Sequence, residues 1–245
     1  MKKLGLLGRN INYSFSRNYF AQKFINEGLS QDYSYENFDI PSIAQFSSIL
    51  KNNPTTIGMN VTIPYKEEVI PFLDQLSENA KAIGAVNTIK VLADGKLEGH
   101  NTDYFGFTES LKPLLESHHK KALILGTGGA AKAVAFGLQT LGIDYQYVSR
   151  KASKKTITYQ DLSLLIFEDY TIIINCTPLG THPNIEICPD LPYDCFTEKH
   201  IAYDLIYNPE TTEFLKRAKQ KKAVTKNGYE MLVLQAEKAW KIWTD

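Results

Sequence analysis

Hydrophobic positions along the chain fall into short runs separated by stretches with helical spacing, the alternation expected of an α/β protein. Leu4–Leu7 predicts a strand ending at Gly8. Ser16 is placed to cap a helix carrying Phe20, Phe24 and Ile25, and Gly28 to stop it. A second strand is expected within Tyr33–Ile40, then a short helix with Ile43, Phe46 and Leu50. Ile57–Ile63 reads as a strand closed by Pro64, and Lys66–Phe72 and Ser77–Ile83 as short helices. Val86–Leu92 and Lys96–Gly99 flank Asp94-Gly95, a two-residue hairpin signal.

A second unit follows. Tyr104–Glu116 predicts a connecting helix, and a polar joint leads to a compact apolar strand at Ala122–Leu125. A glycine-rich turn and a helix to about Leu141 come next. Tyr145–Val148, Thr171–Asn175 and Ile201–Asp204 continue the strands, Thr212–Lys221 is a helix, and Ala223–Thr225 is a last short strand. Tyr229–Trp243 closes the chain as a helix with Leu232, Ala236, Ala239, Trp240 and Trp243 in one stripe.

Length and charge narrow the function. A chain of 245 residues suits one large or two modest domains. Its formal net charge of zero argues against nucleic acid as a partner. No apolar run reaches the ~18 residues of a membrane span, and the apolar stretch of the basic N-terminus is too short for a secretory signal. A cytoplasmic protein is expected. Cys176, Cys188 and Cys195 form no CxxC pair, and the histidines show no metal spacing, so neither disulfides nor a metal are expected.

Gly126-Thr127-Gly128-Gly129-Ala130-Ala131 fits G-x-G-x-x-A between strand and helix. Gly126 allows the tight turn, Gly128 lets the backbone approach a pyrophosphate, and Ala131 lets the helix pack on the strand, with free N–H groups offered to the anion. About 20 residues further on, an NAD enzyme places a carboxylate for the ribose hydroxyls. Here stand Ser149-Arg150-Lys151, with Lys154 and Lys155 behind. A guanidinium can grip a 2′-phosphate that a carboxylate would repel, so NADP(H) is expected.

In the first half, Asn60 and Thr62 alternate with Met59, Val61 and Ile63 at a strand end, where α/β sheets bind ligands. Lys66 then sits at the positive end of a helix dipole, an unhelpful place for stability and therefore a candidate for function. Asn87 and Asp103 lie in two further polar punctuations, where, from the residues alone, ordinary turn formation is the better account. Together, residues 58–89 (with NVTIPYKE), 99–107 (GHNTDYFGF), 123–134, 174–180 (INCTPLG), 203–209 (YDLIYNP) and 227–240 resemble the shikimate dehydrogenase family in order and spacing, from near residue 4 to near residue 243.

The resemblance implies reversible reduction of the 3-dehydroshikimate ketone to shikimate with NADPH. It implies an α/β chain of two domains: a substrate domain with a mostly parallel sheet (1–102 and 228–245) and a Rossmann-like NADP domain (103–227), with the active site in the groove between them. It assigns Lys66 and Asp103 as the catalytic pair. Ser14, Ser16, Asn60, Thr62, Asn87 and Gln235 would hold the substrate, with Tyr207 near it. Thr177, Leu205 and Gly228 would lie along the cofactor, together with the glycine turn and Ser149, Arg150 and Lys151. The residue types suit the chemistry: hydride arriving at a ketone leaves an alkoxide, which a lysine cation can stabilise and protonate, and Asp103 would orient that ammonium. Whether Lys66 donates the proton or acts electrostatically stays open at this level. Monomer and homodimer are both compatible with the sequence.

The chain departs from the family's usual first motif, GxPxxHSxSP. It reads Gly8-Arg9-Asn10-Ile11-Asn12-Tyr13-Ser14-Phe15-Ser16-Arg17, with Phe20 in place of the later histidine. Tyr13, bulkier than histidine, bears on substrate specificity. The alternatives are a quinate/shikimate dehydrogenase using NAD, against which Arg150 argues, and a non-catalytic ligand-binding relative, against which Lys66 and Asp103 argue.

Overall fold

The computed structural model describes residues 1–11 and 14–245, so the expectation at Tyr13 lies outside the described residues. The chain is an α/β protein that divides into two compact units, Met1–Thr102 with Ala236–Asp245, and Asp103–Gln235. The sequence places the return at Gly228, whereas the division falls inside the last helix.

The first unit runs β1 (Lys2–Gly8), α1 (Phe15–Asn26), β2 (Tyr33–Asp39), α2 (Phe46–Asn52), β3 (Thr56–Val61), α3 (Tyr65–Glu68), β4 (Gln75–Leu76), α4 (Glu78–Ile83), β5 (Thr88–Val91) and β6 (Leu97–His100). Its sheet has the order β2-β1-β3-β5-β6-β4. β1 pairs in parallel with β2 and β3, and β4 with β6, while β5 runs antiparallel to both neighbours. The β5–β6 hairpin turns through Ala93-Asp94-Gly95 rather than two residues: Leu92 N–H donates to Lys96 O at 2.8 Å, and Gly95 takes φ +83°. Helix α1 is capped by Ser14, not Ser16. Ser14 has extended backbone and its Oγ accepts from Arg17 N–H, so Ser16 falls inside the first turn and is buried. The Lys66–Phe72 segment is the single turn α3 followed by a 3₁₀ turn over Ile70–Phe72.

The second unit runs α5 (Asp103–Leu111), β7 (Lys121–Leu125), α6 (Gly129–Thr140), β8 (Asp144–Ser149), β9 (Thr156–Thr158), α7 (Leu164–Asp169), β10 (Ile172–Asn175), β11 (Ile201–Asp204), α8 (Glu213–Gln220), β12 (Val224–Lys226) and the start of α9 (Tyr229–Thr244). Its sheet is parallel throughout, in the order β12-β11-β10-β7-β8-β9. This is the doubly wound, Rossmann-like arrangement, and the strand order reverses at β7, where such sheets bind ligands beyond the strand ends. β4, β9 and α7 escape the hydrophobic pattern because each is short.

Each unit buries its sheet on both faces. In the second, Ala122, Ile124, Ile172 and Ile174 pack with Ala131, Val134 and Leu138 of α6, while Leu123, Leu125, Ile173 and Ala202 pack with Phe167, Phe214 and Leu215 on the other face. Each fully buried aliphatic side chain contributes ~1.5–3 kcal/mol, which is why the strands read as continuous apolar runs. In the first, the end of α9 lies against β3 and β5: Trp243 Nε1 donates to Ile89 O of β5 at 2.9 Å, and a Cβ on Gly58 of β3 would fall 2.2 Å from the indole. Among the described residues no helix is long and apolar enough to cross a membrane.

Candidate active site

The first unit gathers polar side chains at the carboxyl ends of β1 and β3 and beside the β5–β6 hairpin. Register sets Asn60 opposite Thr88, and Thr88 opposite His100. Asn60 is buried: Tyr35 O–H donates to its Oδ1 at 2.8 Å, and its Nδ2 donates to Asn87 O and Thr88 Oγ1, both at 3.3 Å. Asn87 is equally buried. Its Oδ1 accepts from Thr102 N–H at 2.6 Å and from Thr88 Oγ1 at 3.1 Å, and its Nδ2 donates to Thr102 Oγ1 at 3.0 Å. Asn87 therefore fixes the backbone one residue before Asp103, the first residue of α5, which is itself buried.

Lys66 reaches the same neighbourhood through its backbone. Tyr65 is buried and its O–H donates to Ile40 O at 2.7 Å, pinning the turn of α3. Lys66 O accepts from Val86 N–H at 2.7 Å, the residue next to Asn87. The Lys66 side chain is half-buried. Thr62 sits against β1: its N–H donates to Leu7 O at 2.9 Å, and a Cβ on Gly8 would lie 2.6 Å from its methyl. After β1, Asn10 and Ile11 are held by Asp39, whose carboxylate accepts from Asn10 N–H at 2.9 Å and Ile11 N–H at 3.1 Å, with Asn10 in the left-handed region at φ +58°. Ser14 spends an oxygen lone pair on the helix cap, which leaves its O–H proton to donate elsewhere. Within this unit the structure brings Asn60 and Asn87 into one hydrogen-bonded set and ties Lys66 to its border, while Ser16 is buried in the first turn of α1.

The second unit assembles the expected dinucleotide residues at the carboxyl edge of its sheet. Gly126 takes φ +103°, which β-carbon-bearing residues rarely adopt, and its N–H donates to Val148 O at 2.9 Å. A Cβ there would press to 3.3 Å on Cys176 O and the Thr177 methyl, so the turn after β7 abuts the loop after β10. Helix α6 starts at Gly128 without a side-chain cap, and a Cβ on Gly128 would meet nothing within 4 Å. The helix N-terminus thus presents N–H groups to open space, as a pyrophosphate requires. Thr127 is exposed, and Gly129 and Ala130 begin the helix. Arg150 and Lys151 are exposed just past β8, whose last residue is Ser149. Burial raises the Tyr159 phenol pKa, and the Arg150 charge opposes that rise.

Asn175, Asp204 and Thr212 hold this edge together; Asn175 and Asp204 fall within the INCTPLG and YDLIYNP segments, but the resemblance assigns none of the three a role. Asn175 Oδ1 accepts from Thr177 N–H at 3.0 Å and Thr177 Oγ1 at 2.7 Å, fixing the loop to Gly180. Asp204, fully buried, accepts from Asn175 Nδ2 at 3.1 Å, Ile206 N–H at 3.0 Å and Thr212 Oγ1 at 2.6 Å. Burial pushes its carboxyl up to about 6 against these three donors. The readable signal is a polar residue ending an otherwise apolar strand in both Ile172–Asn175 and Ile201–Asp204. Gly228 N–H donates to Ile206 O at 3.0 Å, and any Cβ there would fall 2.1 Å from Leu205 O. Tyr207, half-buried, has its phenol pKa raised by burial. Gln235 is buried on α9, with Nε2 donating to Leu232 O at 3.1 Å.

Comparison with known proteins follows this division. Residues 6–89 match the family model described as the shikimate dehydrogenase substrate binding domain. Over the whole chain and 93% of the relative, the sequence is 38% identical to the shikimate dehydrogenase (NADP(+)) of Caldicellulosiruptor saccharolyticus. A crystal structure of a shikimate dehydrogenase in complex with NADP+ superposes with a TM-score of 0.88 at 34% identity, over all of this chain and 90% of that one. The Thermus thermophilus enzyme in complex with NADP(H) and shikimate gives 0.87 at 32%, over all of this chain and 94% of that one.

Proposed function

The chain belongs to the shikimate dehydrogenase family, and from that premise we infer that it reduces 3-dehydroshikimate reversibly to shikimate with NADPH, using Lys66 and Asp103 at the reacting carbonyl. It is an NADP-dependent oxidoreductase acting on a CH–OH group. One observation carries the residue assignment: Lys66 O is bonded to Val86 N–H, and the neighbouring Asn87 side chain is bonded to Thr102 N–H, immediately before Asp103. The backbone of Lys66 and the backbone preceding Asp103 are thereby both tied to the Val86-Asn87 segment.

Bound NADPH supplies the hydride. The uncapped start of α6, the open face at Gly128 and the close approach at Gly228 suit its pyrophosphate and nicotinamide, and Arg150 would grip the 2′-phosphate. As negative charge develops on the substrate oxygen, the Lys66 ammonium stabilises it and delivers a proton. The Asp103 carboxylate orients that ammonium. In the reverse direction the same pair takes the hydroxyl proton. Ser14, Ser16, Thr62, Asn87, Tyr207 and Gln235 hold the hydroxyls and carboxylate of the substrate, each able to donate or accept. The three cysteines are free thiols, which fits a reducing cytoplasmic compartment. There the chain would work on its small-molecule substrate as a monomer or homodimer.

The direct test mixes the protein with NADP and shikimate and follows absorbance at the NADPH band. Growth of that band is expected. No growth with shikimate, at any protein concentration where NADPH binding is measurable, refutes the assignment.

A further inference from the structure

We propose that Tyr35 is a positioning residue of the substrate half-site, setting the orientation of Asn60 and, through it, Asn87. The inference rests on the reading of the first unit as the shikimate-binding half. Tyr35 lies on β2, opposite Leu4 of β1, yet its hydroxyl passes beneath β1 to donate to Asn60 Oδ1 on β3 at 2.8 Å. Burial drives the pKa of this phenol strongly upward, so it stays a neutral hydroxyl.

Asn60 Nδ2 has two hydrogens, and both are spent, on Asn87 O and Thr88 Oγ1. Its Oδ1 receives the Tyr35 proton. The Asn60 amide is thus held by the protein itself, in one flip state, and acts as a bracket more than as a substrate ligand. Thr88 Oγ1 accepts from Asn60 and donates to Asn87 Oδ1 at 3.1 Å, and that oxygen also accepts from Thr102 N–H. A continuous chain of hydrogen bonds therefore runs from Tyr35 through Asn60, Thr88 and Asn87 to the backbone preceding Asp103. Tyr35 is the donor at its far end. The ring is held firmly: Phe20 stacks on it at 4.7 Å with 15° between the planes, and it packs with Leu4, Phe24 and Trp243. Removing only the oxygen keeps that packing and leaves Asn60 Oδ1 without a donor in a buried place.

The test is Tyr35→Phe, measured by steady-state kinetics in both substrates, NADPH binding by fluorescence and thermal midpoint. An unpaired buried acceptor corresponds to a ~5–100-fold rise in KM for shikimate. NADPH affinity should stay within about twofold and kcat should fall less than KM rises. Thr88→Val, which cuts the next bond in the chain, should move the same parameter in the same direction. Because both act through Asn60, Tyr35→Phe combined with Asn60→Ala should cost no more than Asn60→Ala alone. An unchanged shikimate KM in Tyr35→Phe overturns the proposal. So does additivity in the double variant, or a parallel loss of NADPH affinity and thermal midpoint, which would mark a plain core residue. A wild-type protein that binds NADPH but leaves shikimate untouched removes the functional reading, and the proposal with it, before any variant is made.

Discussion

Replacing Asp204 by asparagine should make the second unit less sensitive to pH between 4 and 7. The carboxyl is fully buried and accepts three hydrogen bonds, yet its pKa stands at about 6 against an ordinary 3.8. Desolvation outweighs the donors. Between those two pH values the folded chain holds a proton that the unfolded chain has released. Stability therefore falls as pH rises through this window, and the full cost is present above about pH 6. A span of roughly two pH units at 1.36 kcal/mol each gives about 3 kcal/mol. Asparagine carries no such penalty, and its Nδ2 can donate to Thr212 Oγ1, which already accepts from Leu215 N–H as the cap of α8. The thermal midpoint of Asp204→Asn minus that of wild type should thus rise from pH 4 to pH 7, by about 6–12 °C if the whole term is recovered. Differential scanning at several pH values measures it. Midpoints that move in parallel across the range would refute the reasoning. Asp204→Ala is different in kind: it strands the Asn175 amide and Ile206 N–H, and should loosen the Thr177 loop and raise KM for NADPH.

Other outcomes follow from the same geometry. Arg150→Ala should weaken NADPH binding about 10–100-fold while barely changing that of NADH, since paired charge-assisted bonds to a 2′-phosphate are lost; equal losses for the two cofactors would exclude this role. Gly228→Ala places a Cβ 2.1 Å from Leu205 O, so the loops after β11 and β12 must separate, and NADPH titration should show reduced affinity with shikimate binding retained. Gly58→Ala drives a Cβ to 2.2 Å from Trp243 and should lower the thermal midpoint, with loss of the indole N–H protection in hydrogen exchange. His119 and His200 are buried with lowered pKa, chiefly by desolvation, and the Nδ1 of each accepts a backbone N–H. The unfolded chain takes up their protons first, so stability should be lost as pH falls below 6.5, and imidazole NMR titrations should show both groups titrating below that value.

The strand series was legible because the sheet cores bury both faces: Ala122–Leu125 and Ile172–Asn175 could hardly be anything else. The glycine turn was legible because its spacing has a mechanism. Lys66 showed itself as a cation on the wrong end of a helix. What stayed hidden was long-range pairing. Tyr35 lies 25 residues before Asn60, and nothing local in Tyr-Ser-Tyr-Glu announces a polar partner two strands away. Asp204 reads as a plain strand terminus until its three donors are seen. Ser14 takes the cap expected at Ser16 because both precede the same apolar stripe, and only backbone dihedrals separate them. Short elements such as β9 and α7 carry too few periodic positions to register.

The central claim is that the Lys66 ammonium acts on the oxygen of the reacting carbonyl. The most direct measurement is single-turnover reduction of 3-dehydroshikimate by Lys66→Ala, with both ligands saturating. A fall of ~10²–10⁴ in the rate of NADPH oxidation is expected, the scale of lost acid–base assistance, while the affinities for both ligands change little. A rate within a few-fold of wild type would contradict the account.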